Sequence, residues 1–296
     1  GDVYKRQGMD RTHNPEFTCM EIYVSYKDYN WMMNFTEKML EKICLDVNGT
    51  TEVKVGDNII SFKAPFPRVT MAQAIKDHTG YDIEGKSEDE LRAAAREMGI
   101  EVDETMGKGK LIDEIFGEKC EGTYIQPTFI TDYPIEMSPL TKRHRDNPEL
   151  TERFELMVNG KELANAYSEL NDPIDQYERF VEQMRLGEKG DDEAMIIDGD
   201  FIRALEYGMP PTSGMGIGMD RLVMLMTGQT TIQEVLLFPQ MRPEKVEKRD
   251  AVEAYTAIGI PEQWVAPLQK IGVTTVAALA PMNLSLIHIS EPTRPY

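Results

Sequence analysis

The stretch RFELMVNGKELANAYSE (residues 153–169) predicts a β-hairpin that carries three glutamates at intervals of seven residues. Asn-Gly between two extended runs is the strongest short-range hairpin signal, because both central residues of a type I′ turn need a positive φ. Acidic side chains are mostly exposed in folded proteins, so Glu155, Glu162 and Glu169 could simply face solvent. They could equally bind cations, and the hairpin by itself leaves both interpretations open.

Composition excludes several classes of protein. With a net charge of −19 over 296 residues, the chain lacks the basic surface on which broad, non-specific nucleic-acid binding depends. No apolar run approaches the length needed to span a bilayer, and no signal segment opens the chain. Its three cysteines lie far apart in the sequence, which suits a reducing compartment better than a disulfide framework. We therefore expect a cytoplasmic protein without membrane attachment.

The two ends of the chain look foreign to the rest. DVYKRQ (residues 2–7) and LSLIHI (residues 284–289) can be encoded by DNA strings that are reverse complements of each other. Unrelated protein termini have no reason to share that property, and the string resembles a sequencing adapter. We expect residues 1–7 and 284–296 to be adapter-derived tails, which are excluded from fold reasoning.

Between these tails, strands and helices alternate along the chain. FTCMEIYVSY (residues 17–26) alternates in polarity, so one face of that strand is core and the other carries Glu21 and Tyr23. A helix follows, and Thr70 and Ser87 predict the starts of two more, the second through a capping box with Glu90. Residues 78–122 are acidic and read as a helical insertion. Residues 243–283 read as a helical extension around Gly272, either a helix-hairpin-helix unit or a small appendage packed against the core through Trp264 and Leu268.

Three long motifs, taken together and in order, resemble the class II lysine–tRNA ligases. They are GMDRTHNPEFTCMEIY (residues 8–23), RFELMVNGKELANAYSELND (residues 153–172) and GMGIGMDRLVMLMTGQTTIQEVLLFP (residues 214–239). The resemblance implies an α+β fold over residues 8–242, in which an antiparallel β-sheet is flanked by helices. It also implies that this catalytic domain is incomplete at its N-terminus, because the first motif and the anticodon-binding domain of the family lie upstream.

The resemblance also assigns roles to individual residues. It implies a lysine pocket that contains Glu21, Tyr23, Asn165, Tyr167 and Glu169. It implies that ATP is held by His13, Phe17 and Arg221, with Arg221 as the catalytic arginine on the γ-phosphate. The remaining two acids, Glu155 and Glu162, match the magnesium-binding glutamates, and carboxylates suit Mg²⁺ because it is a hard ion that prefers oxygen ligands.

The implied function is the activation of L-lysine by ATP to lysyl-adenylate and its transfer to tRNA(Lys), by a homodimer in the full-length protein. Two alternatives stay open: a stand-alone relative that ligates lysine to a protein, and a non-catalytic interaction protein derived from the ligase. One departure matters, because Lys5 and Gln7 stand where the family has an arginine and a glutamate. We expect the fragment to be nearly inactive alone, since lysine lacks the bidentate fork of arginine.

The implied site conflicts with regular strand pairing. With Asn159 and Gly160 in the turn, regular pairing sets Glu155 opposite Ala164. It would also turn the lysine-pocket residues of the second strand away from Glu162, because side chains alternate between faces. We therefore predict a β-bulge at Leu163-Ala164, which would bring both sets of residues to one side.

Overall fold

The computed structural model describes residues 10–188, 197–239 and 250–279 of the chain. Contacts divide the chain into two units, Gly1–Gln240 and Met241–Tyr296. Both tails predicted to be adapter-derived, residues 1–7 and 284–296, lie outside the described residues, as do Lys5 and Gln7. In the part of the chain that the structure describes, no helix has the length and apolar character to cross a bilayer.

The strands described in the first unit are β1 (Cys19–Ser25), β2 (Glu52–Val55), β3 (Asn58–Ser61), β4 (Arg68–Thr70), β5 (Thr128–Thr131), β6 (Arg153–Val158), β7 (Lys161–Ser168) and β8 (Thr212–Gly218). Six of them form one sheet in the order β1-β8-β7-β6-β5-β4. Strands β2 and β3 form a separate hairpin outside this sheet.

The sheet is mixed rather than purely antiparallel, which corrects the sequence-based expectation in one place. Every neighbouring pair is antiparallel except β4 and β5, which run parallel. Parallel neighbours need a long crossover connection. The helical insertion lies between these two strands in the sequence and supplies that crossover.

Helices of the first unit flank the sheet, and two of them begin at the caps that the sequence predicted, Thr70 and Ser87. Asp28 accepts a hydrogen bond from the Trp31 amide at the start of the first helix, and Thr70 and Ser87 cap the next two, with the capping box to Glu90 present. Among the described residues, the helices of the first unit are α1 (Tyr29–Asn48), α2 (Met71–Thr79), α3 (Glu88–Glu97), α4 (Lys108–Lys119), α5 (Pro173–Glu188), α6 (Gly199–Glu206) and α7 (Met219–Thr227). Those of the second unit are α8 (Val252–Ala257) and α9 (Glu262–Lys270).

The hairpin of β6 and β7 contains the predicted turn and the predicted bulge. Asn159 and Gly160 both have positive φ, 53° and 73°, as a type I′ turn requires. Met157 pairs with Glu162. The register then shifts so that Leu163 is the extra residue, and its side chain is buried in the main core. The bulge prediction is confirmed.

The register predicted for Glu155 is wrong, and the bulge is the reason. Because the extra residue is inserted before this position, Glu155 pairs with Asn165 rather than with Ala164. Directly paired residues lie on the same face of a sheet. The two side chains, which the sequence assigned to different ligands, therefore lie side by side.

The two faces of the sheet differ in character. One face packs against α1 through a core of apolar side chains that includes Met32, Met33, Leu156, Ala166, Met215 and Ile217. Since side chains alternate along each strand, the intervening residues of β1, β6, β7 and β8 lie on the opposite face. That face carries the acidic and glycine residues singled out in the sequence. A second core joins α2 to the helices α3 and α4 of the insertion.

The second unit contains α8 and α9 followed by a short 3₁₀ turn, Val276–Leu279. Among its described residues, the buried apolar side chains are Tyr255, Val265 and Val273, whereas Trp264 is only half-buried. Gly272 has a φ of 90° just after α9, a conformation that favours glycine.

Candidate active site

On one face of β8, between β1 and β7, Gly214 and Gly216 form a glycine strip from which no side chain projects. Its glycines pair with residues of both neighbours, and directly paired residues share a face. On this face the paired rows are Glu21–Gly216–Asn165 and Tyr23–Gly214–Tyr167. The sheet therefore brings four of the five residues predicted for the lysine pocket to the two sides of one glycine strip.

Gly214 lies directly beneath the fifth residue, Glu169. A Cβ atom built at position 214 would lie 2.0 Å from the Glu169 Oε1 atom and 2.8 Å from Cε1 of Tyr23. Real Cβ atoms do not approach other atoms so closely. Glycine at this position thus allows the Glu169 carboxylate to lie over the strip. By contrast, among the described residues a Cβ at Gly216 would meet only the Cys19 sulfur, at 3.7 Å.

The two acids beside the glycine strip, Glu21 and Glu169, are arranged to attract a cation. The Tyr23 hydroxyl donates a hydrogen bond of 3.0 Å to Glu21, and partial burial together with Glu21 raises the pKa of Tyr23 to about 12. Burial, followed by the negative charge of Glu21, raises the pKa of Glu169 to about 7. A bound cation would favour the ionised carboxylates. The electrostatics suit an ammonium group.

A second group of charges surrounds Arg153 at the start of β6. Its guanidinium pairs with Glu155, donates to Asn165 Oδ1 at 3.2 Å and donates to Ser138 Oγ at 3.0 Å. It also lies 4.5 Å from the centroid of the Tyr133 ring. The side chains of Arg153 and Glu155 are each only 14 % exposed. Arg153 therefore links the residue predicted for magnesium to one predicted for lysine.

Glu162 completes the acidic pair expected to bind magnesium. Burial, followed by the charge of Glu155, raises the pKa of Glu162 to about 7. Within residues 10–188, 197–239 and 250–279, no group of three or more His, Cys, Asp or Glu side chains converges as a metal site. Mg²⁺ characteristically takes one or two protein carboxylates and completes its shell with phosphate oxygens and water. Two carboxylates that repel each other on one face fit that requirement.

The residues predicted for the triphosphate contact one another. Arg221, near the start of α7, donates from Nη1 to the Glu162 carbonyl oxygen at 2.6 Å and lies 3.1 Å from His13 Nε2 through Nη2. The ring of Phe17, predicted to stack on adenine, is 48 % exposed. His13 and the Arg221 guanidinium therefore contact each other beside the acidic pair.

Two cavities collect these side chains. The larger, of about 1020 Å³, is lined by His13, Arg153, Glu155, Glu162, Asn165 and Arg221 among others. The smaller, of about 790 Å³, is lined by Glu169 together with Lys142 and Arg145. In the described part of the chain, Glu21, Tyr23 and Tyr167 line neither cavity, and they are connected to the site by strand pairing with Gly214 and Gly216.

Two residues of the site, Arg153 and Asp10, were not predicted from the sequence. The carboxylate of Asp10 contacts His13. Arg153 could have been found, because alternation along β6 places it on the same face as Glu155. Its contacts with Ser138 and Tyr133 cross from one segment to another, and no local pattern indicates them. For Asp10, the signal was the Asp-x-Thr spacing that is typical of a side-chain-capped turn.

The stability of Glu162→Gln should depend less on pH than that of the wild type. A glutamate whose pKa is raised from 4.5 to about 7 in the folded chain contributes stability that is complete below the lower value and is lost as the pH rises through about 7. Urea unfolding at about pH 5 and about pH 8 should show the wild type losing about 1–3 kcal/mol more than the variant. Glu52→Gln, an exposed change in β2, serves as the control. An equal pH dependence of stability in the wild type and in Glu162→Gln would contradict the raised pKa of Glu162.

Comparison with known protein families gives a match over most of this chain. The model for tRNA synthetases class II (D, K and N) matches residues 1–242. That span includes the whole six-stranded sheet and every residue of the candidate site.

Individual curated proteins are similar to this chain over most of its length. Proteins named lysine–tRNA ligase from Porphyromonas gingivalis (strain ATCC 33277), Christiangramia forsetii and Azobacteroides pseudotrichonymphae are 75 %, 72 % and 68 % identical over 276, 242 and 244 residues. These alignments cover 93 %, 82 % and 82 % of this chain and 48 %, 42 % and 49 % of the relatives. The chain thus spans about half the length of the curated relatives it matches.

Proposed function

Because the chain belongs to the class II tRNA synthetases (D, K and N), we propose that it carries the catalytic core of an enzyme that activates L-lysine with ATP and transfers it to tRNA(Lys). The observation that carries the choice of lysine is Glu169 above Gly214, with Glu21 beside it. Opposite charge at a partly buried site discriminates far better than a hydrophobic pocket could by chain length alone.

The proposed first step joins two anions. A carboxylate oxygen of lysine attacks the α-phosphorus of ATP, a phosphorus–oxygen bond breaks, and pyrophosphate leaves with the electron pair. Arg221 and His13 hold the triphosphate, and Phe17 stacks on the adenine ring. Glu169 and Glu21 hold the ε-ammonium so that the carboxylate of the substrate points toward the phosphates. Catalysis of this kind relies on positioning and charge neutralisation rather than on a protein nucleophile.

Glu155 and Glu162 would hold Mg²⁺ in this scheme. When bound, the ion neutralises charge on the phosphate oxygens, which lowers the barrier to attack by a carboxylate. Without it, Arg153 is the counter-charge of Glu155. The residues that make up the larger cavity thus provide both signs of charge that a triphosphate with its metal requires.

The remaining parts of the proposal concern the whole protein. We propose that the full-length protein is a homodimeric, cytoplasmic enzyme. We also propose that it includes the half of its relatives' length that this chain does not cover. We expect this chain alone to show little activity, whereas the full-length gene product should be active.

Pyrophosphate exchange into ATP tests this function. The full-length protein should exchange label with lysine and not with arginine, ornithine or glutamine, and it should then charge tRNA. Exchange driven by a different amino acid, or no exchange with lysine, would refute the assignment. Transfer of activated lysine to a protein rather than to tRNA would instead favour the stand-alone ligase.

A further inference from the structure

A short turn before β1 contains a carboxylate with an unassigned role. The Asp10 Oδ1 atom accepts hydrogen bonds from the Thr12 amide at 2.6 Å and from the His13 amide at 2.8 Å. Its second oxygen, Oδ2, lies 2.8 Å from His13 Nδ1. The turn is anchored to the 3₁₀ segment Ile232–Val235, because the Ile232 amide donates to the Arg11 carbonyl at 2.8 Å. Asp10 therefore holds both the backbone and the ring of His13.

The two ring nitrogens of His13 face partners of opposite character. Nδ1 faces the Asp10 carboxylate and also lies 3.1 Å from the Thr12 hydroxyl oxygen. Nε2 faces a guanidinium nitrogen of Arg221 at 3.1 Å. Arginine is always a donor and a carboxylate is always an acceptor. A neutral imidazole satisfies both contacts only when Nδ1 carries the proton and Nε2 accepts from Arg221.

We propose that Asp10 is a positioning residue that fixes His13 as the Nδ1–H tautomer, so that Nε2 holds the Arg221 guanidinium for the triphosphate. This inference rests on the proposed function for its ligand. The nitrogen that carries the proton in a histidine is set by the hydrogen bond that the other nitrogen makes. Arg221 is then held from two sides, by His13 Nε2 and by the Glu162 carbonyl oxygen. A guanidinium oriented in advance loses less freedom when the anion binds.

The chain contains a matched turn that serves as a control. Asp103, in the insertion, accepts hydrogen bonds from the Thr105 amide at 2.7 Å, the Thr105 hydroxyl at 2.6 Å and the Met106 amide at 3.2 Å. Its pattern is the Asp-x-Thr turn of Asp10 with a methionine in place of the histidine. Asp103→Asn and Asp10→Asn therefore make the same change to the same local structure, and only one of them touches an imidazole.

Nuclear magnetic resonance of the histidine ring nitrogens tests the tautomer in the chain itself. At a mildly alkaline pH, where free imidazole is neutral, His13 should be the Nδ1–H form in the wild type and in Asp103→Asn. In Asp10→Asn, the amide oxygen can keep the turn, but the amide nitrogen cannot accept from Nδ1–H. His13 should then shift to the Nε2–H form. An Nε2–H tautomer in the wild type would overturn the proposal.

Titration with MgATP links the tautomer to nucleotide binding. Asp10→Asn should bind MgATP about tenfold more weakly than Asp103→Asn, while binding of lysine should be equal in the two. Equal MgATP affinity in the two variants would overturn the positioning role. If the wild-type chain binds no MgATP, the full-length protein replaces it in the same titration; failure there contradicts the proposed function, and the ring-nitrogen spectrum still decides the role of Asp10.

Discussion

Replacing Arg153 with methionine should lower the free energy of unfolding by about 3–5 kcal/mol, because it leaves the Glu155 carboxylate unpaired. Both side chains are largely buried, and the guanidinium also contacts Asn165, Ser138 and the Tyr133 ring. Removing one partner of such a pair leaves an uncompensated charge where water cannot easily solvate it. Urea unfolding of the wild type and the variant at one pH gives the difference.

A double variant separates the lost pair from lost packing. Arg153→Met combined with Glu155→Met should recover most of the stability, because replacing both partners of a buried pair by apolar groups is often neutral. Arg185→Met is the control, since the Arg185–Glu182 pair is exposed and such pairs contribute roughly 0–1 kcal/mol. If the double variant is as unstable as the single one, the loss comes from packing and the charge argument is wrong.

Replacing Glu169 with glutamine should weaken lysine binding about hundredfold and leave MgATP binding almost unchanged. The amide keeps the shape of the carboxylate above Gly214 but removes the negative charge that, in the proposed function, pairs with the ammonium group of lysine. The pH dependence should change as well. In the folded chain without bound lysine, the pKa of Glu169 is about 7. Because the carboxylate becomes protonated as the pH drops through that value, the wild-type affinity for lysine should fall, and the variant should not show this fall.

Calorimetric titration with lysine, and separately with MgATP, measures both effects. Glu155→Gln provides the contrast, because it should weaken MgATP binding more than lysine binding. Equal losses of lysine and MgATP affinity in Glu169→Gln would mean that Glu169 has a structural role rather than a role in recognition.

Local patterns in the sequence predicted several of the helices and strands and the faces on which strand side chains lie. Alternation predicted which side chains of β1 share a face, the Asn-Gly pair predicted the turn, and Thr70 and Ser87 predicted two helix starts. These features depend on residues close in sequence, whose steric and hydrogen-bonding preferences act within a turn or two. Even the bulge was predictable once both sets of site residues had to lie on one face.

Contacts between distant segments were decided only by the tertiary structure. The parallel pairing of β4 and β5 depends on where the insertion returns the chain, and the register of Glu155 depends on how many residues the bulge absorbs. The close approach over Gly214 comes from Glu169, a residue 45 positions earlier in the sequence. The partners of Arg153 and His13 likewise come from several segments. No periodicity records such contacts, because they exist only when the strands and loops that carry them are packed together.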